Sequence, residues 1–269
     1  MNREQRDGIF QQAKEWVLEA GKAIRDKIND PLTVETKSDP NDLVTAMDRD
    51  TEYFFITRIK ERYPEHFIIS EEGYGDELQA LEGTVWIIDP IDGTMNFVHQ
   101  KRNFAISVGI YQDGVGEIGF IYDVMADQLY SARKGEGAYK NDTALLPLDK
   151  QKHFQEAILG LNHFWLCDNR LVDEKVMQHL VKTVRGTRTY GSAALEFAAV
   201  AEGIMDGYMT MDLAPWDIAA GIVIVNEVGG RTTNAFGKPI NLLQKNSVLT
   251  CNPAIMDSIV SHYTVKGRK

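Results

Sequence analysis

Two carboxylates, Asp89 and Asp92, stand in the segment Trp86-Ile-Ile-Asp89-Pro-Ile-Asp92-Gly93-Thr94-Met-Asn96-Phe97. An apolar strand pattern runs into Asp89, so its carboxylate is projected from a strand's carboxyl end. Pro90 fixes the backbone, Gly93 permits a tight turn or close backbone approach, and Thr94 is able to open a helix. Paired carboxylates followed by free N–H groups suit a hard cation and a phosphate together. A bare Asp-x-x-Asp-Gly is more often an Asp-rich turn. The preceding strand and the full run of residues favour chemistry here.

Other motifs carry less. Gly114-Val-Gly116-Glu-Ile-Gly119 matches a dinucleotide fingerprint, but strands flank it and no helix follows. The six histidines show no paired zinc spacing, and Ser192 in Gly-Ser-Ala-Ala has neither an elbow nor a histidine partner.

The elements that hold the acidic segment follow from periodicity. Ile9, Ala13, Trp16, Val17, Ala20 and Ile24 predict a helix over 3–28, stopped by Asn29-Asp30-Pro31. A second helix is predicted over 48–63, then strands over 67–70 and 84–88. Alternating residues predict further strands over 103–133, the mark of an antiparallel sheet. Beyond 150 strands and helices alternate: strands at 157–160, 207–211 and 248–251, helices at 171–184, 192–203, 216–228 and 253–263. The first half therefore reads as α+β and the second as α/β. Two packed sub-domains, 1–150 and 151–269, are expected to share a cleft.

The 269 residues are 43 % hydrophobic and 25 % charged, a globular profile with ample core. Lys plus Arg is 29 against 39 acids, giving a formal charge of −10. With no basic block, nucleic acid and anionic membranes are poor partners. Two cysteines, Cys167 and Cys251, make neither a disulfide framework nor a four-thiolate zinc site. Reduced thiols and the lack of a long apolar run predict a cytoplasmic protein without a membrane span. Anion chemistry on so acidic a chain needs a local cation.

Five segments in order resemble the inositol monophosphatase family of metal-dependent, lithium-sensitive sugar phosphatases. They are Lys37 with Asp42-Leu-Val-Thr-Ala-Met-Asp48, Ser70-Glu71-Glu72-Gly73, and Asp89-Pro90-Ile91-Asp92-Gly93-Thr94-Met95-Asn96-Phe97. Gly191-Ser192-Ala193-Ala194 and Trp216-Asp217-Ile218-Ala219-Ala220-Gly221 complete the set, and the likeness spans 15–253. It implies a five-layered αβαβα sandwich, a homodimer, and two to three Mg²⁺ ions, with Li⁺ and Ca²⁺ as inhibitors. By the resemblance, Glu71, Asp89 and the Ile91 carbonyl hold one ion. Asp89, Asp92 and Asp217 hold a second, and a weaker third lies near Glu71. Glu71 and Thr94, with Asp48 orienting Thr94, would prepare a metal-activated water for in-line attack on phosphorus. Asp92, Gly93, Thr94, Lys37, Gly191, Ser192 and Ala193 would contact the phosphate or substrate.

One position departs from the pattern. Inositol-specific members carry a glutamate seven residues before the Trp-Asp aspartate, and here that place is Thr210. Asp212, two residues on along a strand, is expected either to replace it from the same face or to point at solvent. The reading is a phosphomonoesterase acting on inositol monophosphate or a related small sugar phosphate. Fructose-1,6-bisphosphatase, NADP(H) phosphatase and 3′-phosphoadenosine-5′-phosphate phosphatase share the metal chemistry. A transcription-associated regulator with this fold is the non-enzymatic alternative, weakened by the intact acidic set.

Overall fold

The computed structural model describes residues 1–31, 34–36 and 43–263. Helices α1 (Arg3–Lys27) and α2 (Ala46–Arg62) flank a short antiparallel pair, β1 (Val34–Thr36) and β2 (Leu43–Thr45). A seven-stranded sheet follows in sequence order: β3 (Phe67–Ser70), β4 (Thr84–Asp92), β5 (Ala105–Gln112), β6 (Val115–Asp123), β7 (Gln128–Arg133), β8 (Ala138–Lys140) and β9 (Thr143–Ala144). The short helix α3 (Thr94–Gln100) interrupts it after β4. Then come β10 (Ile158–Leu161), α4 (Glu174–Thr183), β11 (Gly186–Arg188), α5 (Ala193–Ala201), β12 (Gly207–Leu213), α6 (Pro215–Glu227), β13 (Arg231–Thr233), β14 (Asn246–Cys251) and α7 (Pro253–Tyr263). These strands form a second sheet in the order β11-β10-β12-β14-β13, with β10 parallel to both neighbours.

Period-2 alternation turns each sheet into the wall of two cores. Along β4, Val85 and Ile87 face α5 and α6, whereas Trp86 and Ile88 face α1 and α2. Along β12, Tyr208 joins the α5–α6 core and Met209 and Met211 join one closed by α4 and α7. The layers are thus α1–α2, sheet, α5–α6, sheet, α4–α7. This is the expected five-layered αβαβα sandwich. Among the described residues no helix is long and apolar enough to cross a membrane.

The helix starts follow side-chain capping. Asn2 and Gln5 close a capping box on α1, and Thr45 with Asp48 closes one on α2. The helix expected over 171–184 begins instead at Glu174, because the Asp173 carboxylate accepts the N–H groups of Lys175 and Val176. Strand β4 runs past Asp89 to Asp92, with a register irregularity between them. The short strands β8, β9, β11 and β13 lack enough residues to show alternation, so periodicity does not predict them. His66 is a satisfied core histidine: its Nδ1 accepts from Trp86 Nε1 at 3.0 Å.

The glycines of the 114–119 motif serve packing. Gly114, at φ +76°, turns the β5–β6 hairpin, while Gly116 and Gly119 let α6 press onto the sheet. A Cβ on Gly119 would lie 2.6 Å from the Ala220 carbonyl oxygen, and one on Gly116 would lie 2.7 Å from a Val223 methyl. Gly119→Ala should therefore cost about 1–3 kcal/mol in urea unfolding, since a backbone atom must move. Gly116→Ala should cost less, because a side chain can yield. Equal losses at both positions would contradict this account of α6 packing.

Candidate active site

Three chain segments deliver four carboxylates to one point. Asp89 and Asp92 come from the end of β4, and Glu71 from the loop after β3. Asp217 comes from the first turn of α6. Carboxylate oxygens of Asp89, Asp92 and Asp217 all lie within 4.8 Å of one another. Asp89 is in hydrogen-bonding contact with both Glu71 and Asp217. Pro215 opens α6 in the first helical position, where no N–H is needed. Asp217 reaches back to accept the Ala214 N–H at 2.8 Å. The Ser107 hydroxyl donates to the Trp216 carbonyl and the Tyr111 hydroxyl to that of Ala219, which locks this helical turn onto β5.

Burial drives the electrostatics. It pushes Asp89 well above the usual carboxylate range, and the charges of Glu71, Asp92 and Asp217 add to the shift. Asp217 is raised by burial and then by Asp92. Asp92 is pushed up to about 6 by burial, against the pull of the Ser192 hydroxyl and the Ala194 N–H. Carboxylates crowded in this way favour either a proton or a cation between them. An oxygen-only donor set of this density fits a small hard divalent ion.

Beside the acids, the Thr94 hydroxyl lies 3.1 Å from the Ile91 carbonyl and 3.4 Å from Asp48 Oδ1. Asp48 is fully buried and pushed up to about 6 by that burial. Its other oxygen, Oδ2, accepts the Thr45 N–H at 2.9 Å and the Thr45 hydroxyl at 2.6 Å. Ile91, Thr94 and Asp48 are thereby brought together. Lys37 and Asp42 lie outside the described residues.

Asp92 also ties the end of β4 to the start of α5. Its carboxylate accepts the Ser192 hydroxyl and the N–H groups of Ala193 and Ala194, at 3.2 and 2.8 Å for the two amides, and so caps α5. Gly93 and Gly191, both at positive φ, let these segments meet; a Cβ on Gly93 would lie 3.1 Å from the Gly191 oxygen. Asn96 fastens the same seam, donating to the carbonyls of Asn103 and Tyr190 at 2.8 and 2.7 Å. From the other side Glu196 accepts the Tyr190 N–H at 2.6 Å. Sequence reasoning assigned no role to Asn96 or Glu196. The available signal was a lone acid in the apolar run Ala193-Ala-Leu-Glu196-Phe-Ala-Ala.

A cleft of about 640 Å³ opens above the acids, lined by Asp92, Asp217, Glu196, Tyr208, Thr210 and Lys245 among others. Thr210 is buried at its wall, 6 % exposed. Asp212 also lines the cleft but is exposed and pairs with Lys245 at 3.6 Å. A register shift between Thr210 and Leu213 interrupts the alternation from which a common face was expected. Phe164, 62 % exposed, stands at the cleft as well.

A model of the inositol monophosphatase family matches residues 5–265. An inositol-1-monophosphatase of Bacillus subtilis is 57 % identical over 251 residues, covering 93 % of this chain and 94 % of that one. A staphylococcal inositol monophosphatase-II solved with inositol monophosphate superposes with a TM-score of 0.86 at 41 % identity, covering 96 % of this chain and 93 % of the other. The same enzyme with 2′-AMP gives 0.88 at 42 % identity, covering 96 % and 94 %. An inositol monophosphatase/NADP phosphatase complexed with Mg²⁺ and phosphate gives 0.87 at 26 % identity, covering 96 % and 95 %. With this sandwich, this acidic seam and these relatives, the chain belongs to the inositol monophosphatase family.

Proposed function

We propose that this protein is a Mg²⁺-dependent phosphomonoesterase that hydrolyses inositol monophosphate and related small phosphate esters. The observation that carries the reading is the crowded trio Asp89, Asp92 and Asp217 at the foot of an open cleft. In this reading Glu71, Asp89 and the Ile91 carbonyl hold one ion, and Asp89, Asp92 and Asp217 hold another. Mg²⁺ bound there supplies the positive charge that attracts phosphate and activates water. The Glu71 carboxylate and the Thr94 hydroxyl, which Asp48 orients, would position the attacking water, and the water's proton would pass to Glu71 or, as Thr94 gives up its own, to Asp48. Backbone N–H groups of Gly93 and Thr94 meet phosphate oxygens, with Lys37 at the edge. Gly191, Ser192 and Ala193 shape the mouth, the last two through Asp92. Li⁺ and Ca²⁺ compete for the cation sites. We also propose a cytoplasmic homodimer, on the family resemblance and the two free thiols. A division near residue 150 into two sub-domains accords with the two sheets, although α5 and α6 bind both into one core.

Preference within phosphate esters is broader than for an inositol-specific enzyme. Thr210 lines the cleft where a carboxylate would accept ring hydroxyls, and the exposed Phe164 stands at the same cleft as an apolar contact for a base. A ring hydroxyl bonded to a carboxylate is worth about 1.5–3 kcal/mol. Phosphate release from inositol 1-phosphate, fructose 1,6-bisphosphate, 2′-AMP and NADP should therefore differ within about tenfold in kcat/KM. Thr210→Glu should shift the ratio towards inositol phosphate by roughly tenfold. A thousandfold preference in the wild type, lost in Asp212→Ala, would instead give the glutamate's role to Asp212.

Asp217→Asn should lower kcat by at least ~10²-fold with the fold retained, because the amide oxygen can still accept the Ala214 N–H. Near-normal turnover at saturating Mg²⁺ would remove Asp217 from the site.

Chelation should expose the strain among these acids. The folded-state pKa values of Asp89, Asp92 and Asp217 lie above the unfolded value of about 4. The stability they contribute is thus complete below that pH and is lost as pH rises through about 6 for Asp92 and through the raised pKa values of Asp89 and Asp217. Bound Mg²⁺ offsets the loss. The rise in Tm from EDTA to excess Mg²⁺ should be larger at pH 8 than at pH 5, and a pH-independent rise would contradict a metal site built on these groups.

A further inference from the structure

Helix α2 carries two buried acids one turn apart, Asp48 and Glu52, on the same face. Asp48 addresses Thr94. Glu52 has no place in the chemistry proposed above, yet it is 0 % exposed. One of its oxygens accepts the Ser70 hydroxyl at 2.7 Å and the Tyr74 N–H at 3.1 Å, and the other accepts the Glu72 N–H at 2.7 Å. These donors bracket Glu71 from both sides. A buried carboxylate is tolerated only when its lone pairs are satisfied, and here two oxygens take three donors.

The same helix grips the far end of the loop. Lys60 pairs with Asp76 at 2.9 Å, and the Asp76 carboxylate accepts the Ile68 N–H at 2.9 Å. The Asp76 N–H returns to the Ile68 carbonyl at 2.6 Å. Gly75 is required where the loop folds back, since a Cβ there would lie 2.7 Å from that carbonyl. The loop is therefore tied to α2 at two places, and Glu52 makes the tie nearest Glu71.

We propose that Glu52 is the positioning residue of this site, holding the loop so that Glu71 meets Asp89 before any cation arrives. An apolar residue could fill the space, but it could not orient the Ser70, Glu72 and Tyr74 donors together. The inference rests on the proposed role of Glu71 in holding metal. It gives Glu52 a measurable function in the metal-free protein.

The test compares wild type with Glu52→Gln, Ser70→Ala and Glu71→Gln. Amide hydrogen exchange is followed in EDTA, Mg²⁺ affinity by calorimetry, and Mg²⁺ dependence by phosphate release. In Glu52→Gln the new NH₂ must face a donor, so the Glu72 or Tyr74 amide should exchange at least ~10-fold faster. Mg²⁺ affinity should fall ~10–100-fold, as for other groups that orient ligands, while excess Mg²⁺ restores most of kcat. Ser70→Ala, which removes one bond, should weaken Mg²⁺ binding by roughly two- to fivefold. If Glu52→Gln does not fold, Ser70→Ala decides the matter in the same direction. Unchanged Mg²⁺ affinity in the folded Glu52 variant, or in Ser70→Ala when it alone folds, overturns the proposal if Glu71→Gln weakens binding. Unchanged affinity in Glu71→Gln as well overturns the metal role of Glu71, and the positioning role falls with it.

Discussion

Like charges held within hydrogen-bonding distance in a buried place are the constraint on which this molecule depends. Asp89 touches both Glu71 and Asp217, and Asp92 lies within the same few ångströms. Water is largely excluded, so the repulsion is poorly screened. The protein holds the acids there by anchoring each one separately. Asp217 is bonded into its own helix start, Asp92 into the start of α5, and the Glu71 loop to α2. Two of these anchors lie on α5 and α6, packed together in the middle core, and the third on α2, packed in the core on the other face of the first sheet. The repulsion is therefore resisted by core packing and not only by local hydrogen bonds.

The middle layer has a matching requirement. Helices α5 and α6 are buried on nearly every side, which explains their small residues: Ala193, Ala194, Ala198, Ala219, Ala220 and Gly221. A Cβ at Gly221 would collide with the Phe197 ring at 2.3 Å, so the two helices approach at that point. Close approach of these helices brings Ser192 to Asp92 and Asp217 to Asp89. The alanine- and glycine-rich runs thus set the distance between the two sheets, and with it the size of the acidic site.

Much of this was legible in the sequence. The long strands announced themselves by alternation and α1 by its apolar stripe. The acidic segment was evident because a strand pattern ran straight into Asp89. The hidden parts are those in which one residue acts on another far away in the chain. Asp92 capping α5 spans 100 residues to Ser192, and Asn96 reaches Tyr190 across 94. No periodicity encodes such pairs. Glu52 was overlooked for a different reason: an acid in the run Thr51-Glu-Tyr-Phe-Phe looks like an exposed helical residue until its three donors are seen. The face of Asp212 depended on a strand irregularity that spacing cannot reveal.

Asp48 and Glu52 share one rigid rod, separated by about 6 Å of helix rise. When α2 slides or tilts against the sheet, both carboxylates are carried along together. The Thr94 hydroxyl is coupled to one and the Glu71 loop to the other, so thermal breathing of α2 reaches the two groups as a common displacement. Thr94 is also bonded to the Ile91 carbonyl and Glu71 meets Asp89, so α2 and the end of β4 hold the two groups between them. A shift of α2 would therefore disturb the Thr94 hydroxyl and the Glu71 loop together and not one alone.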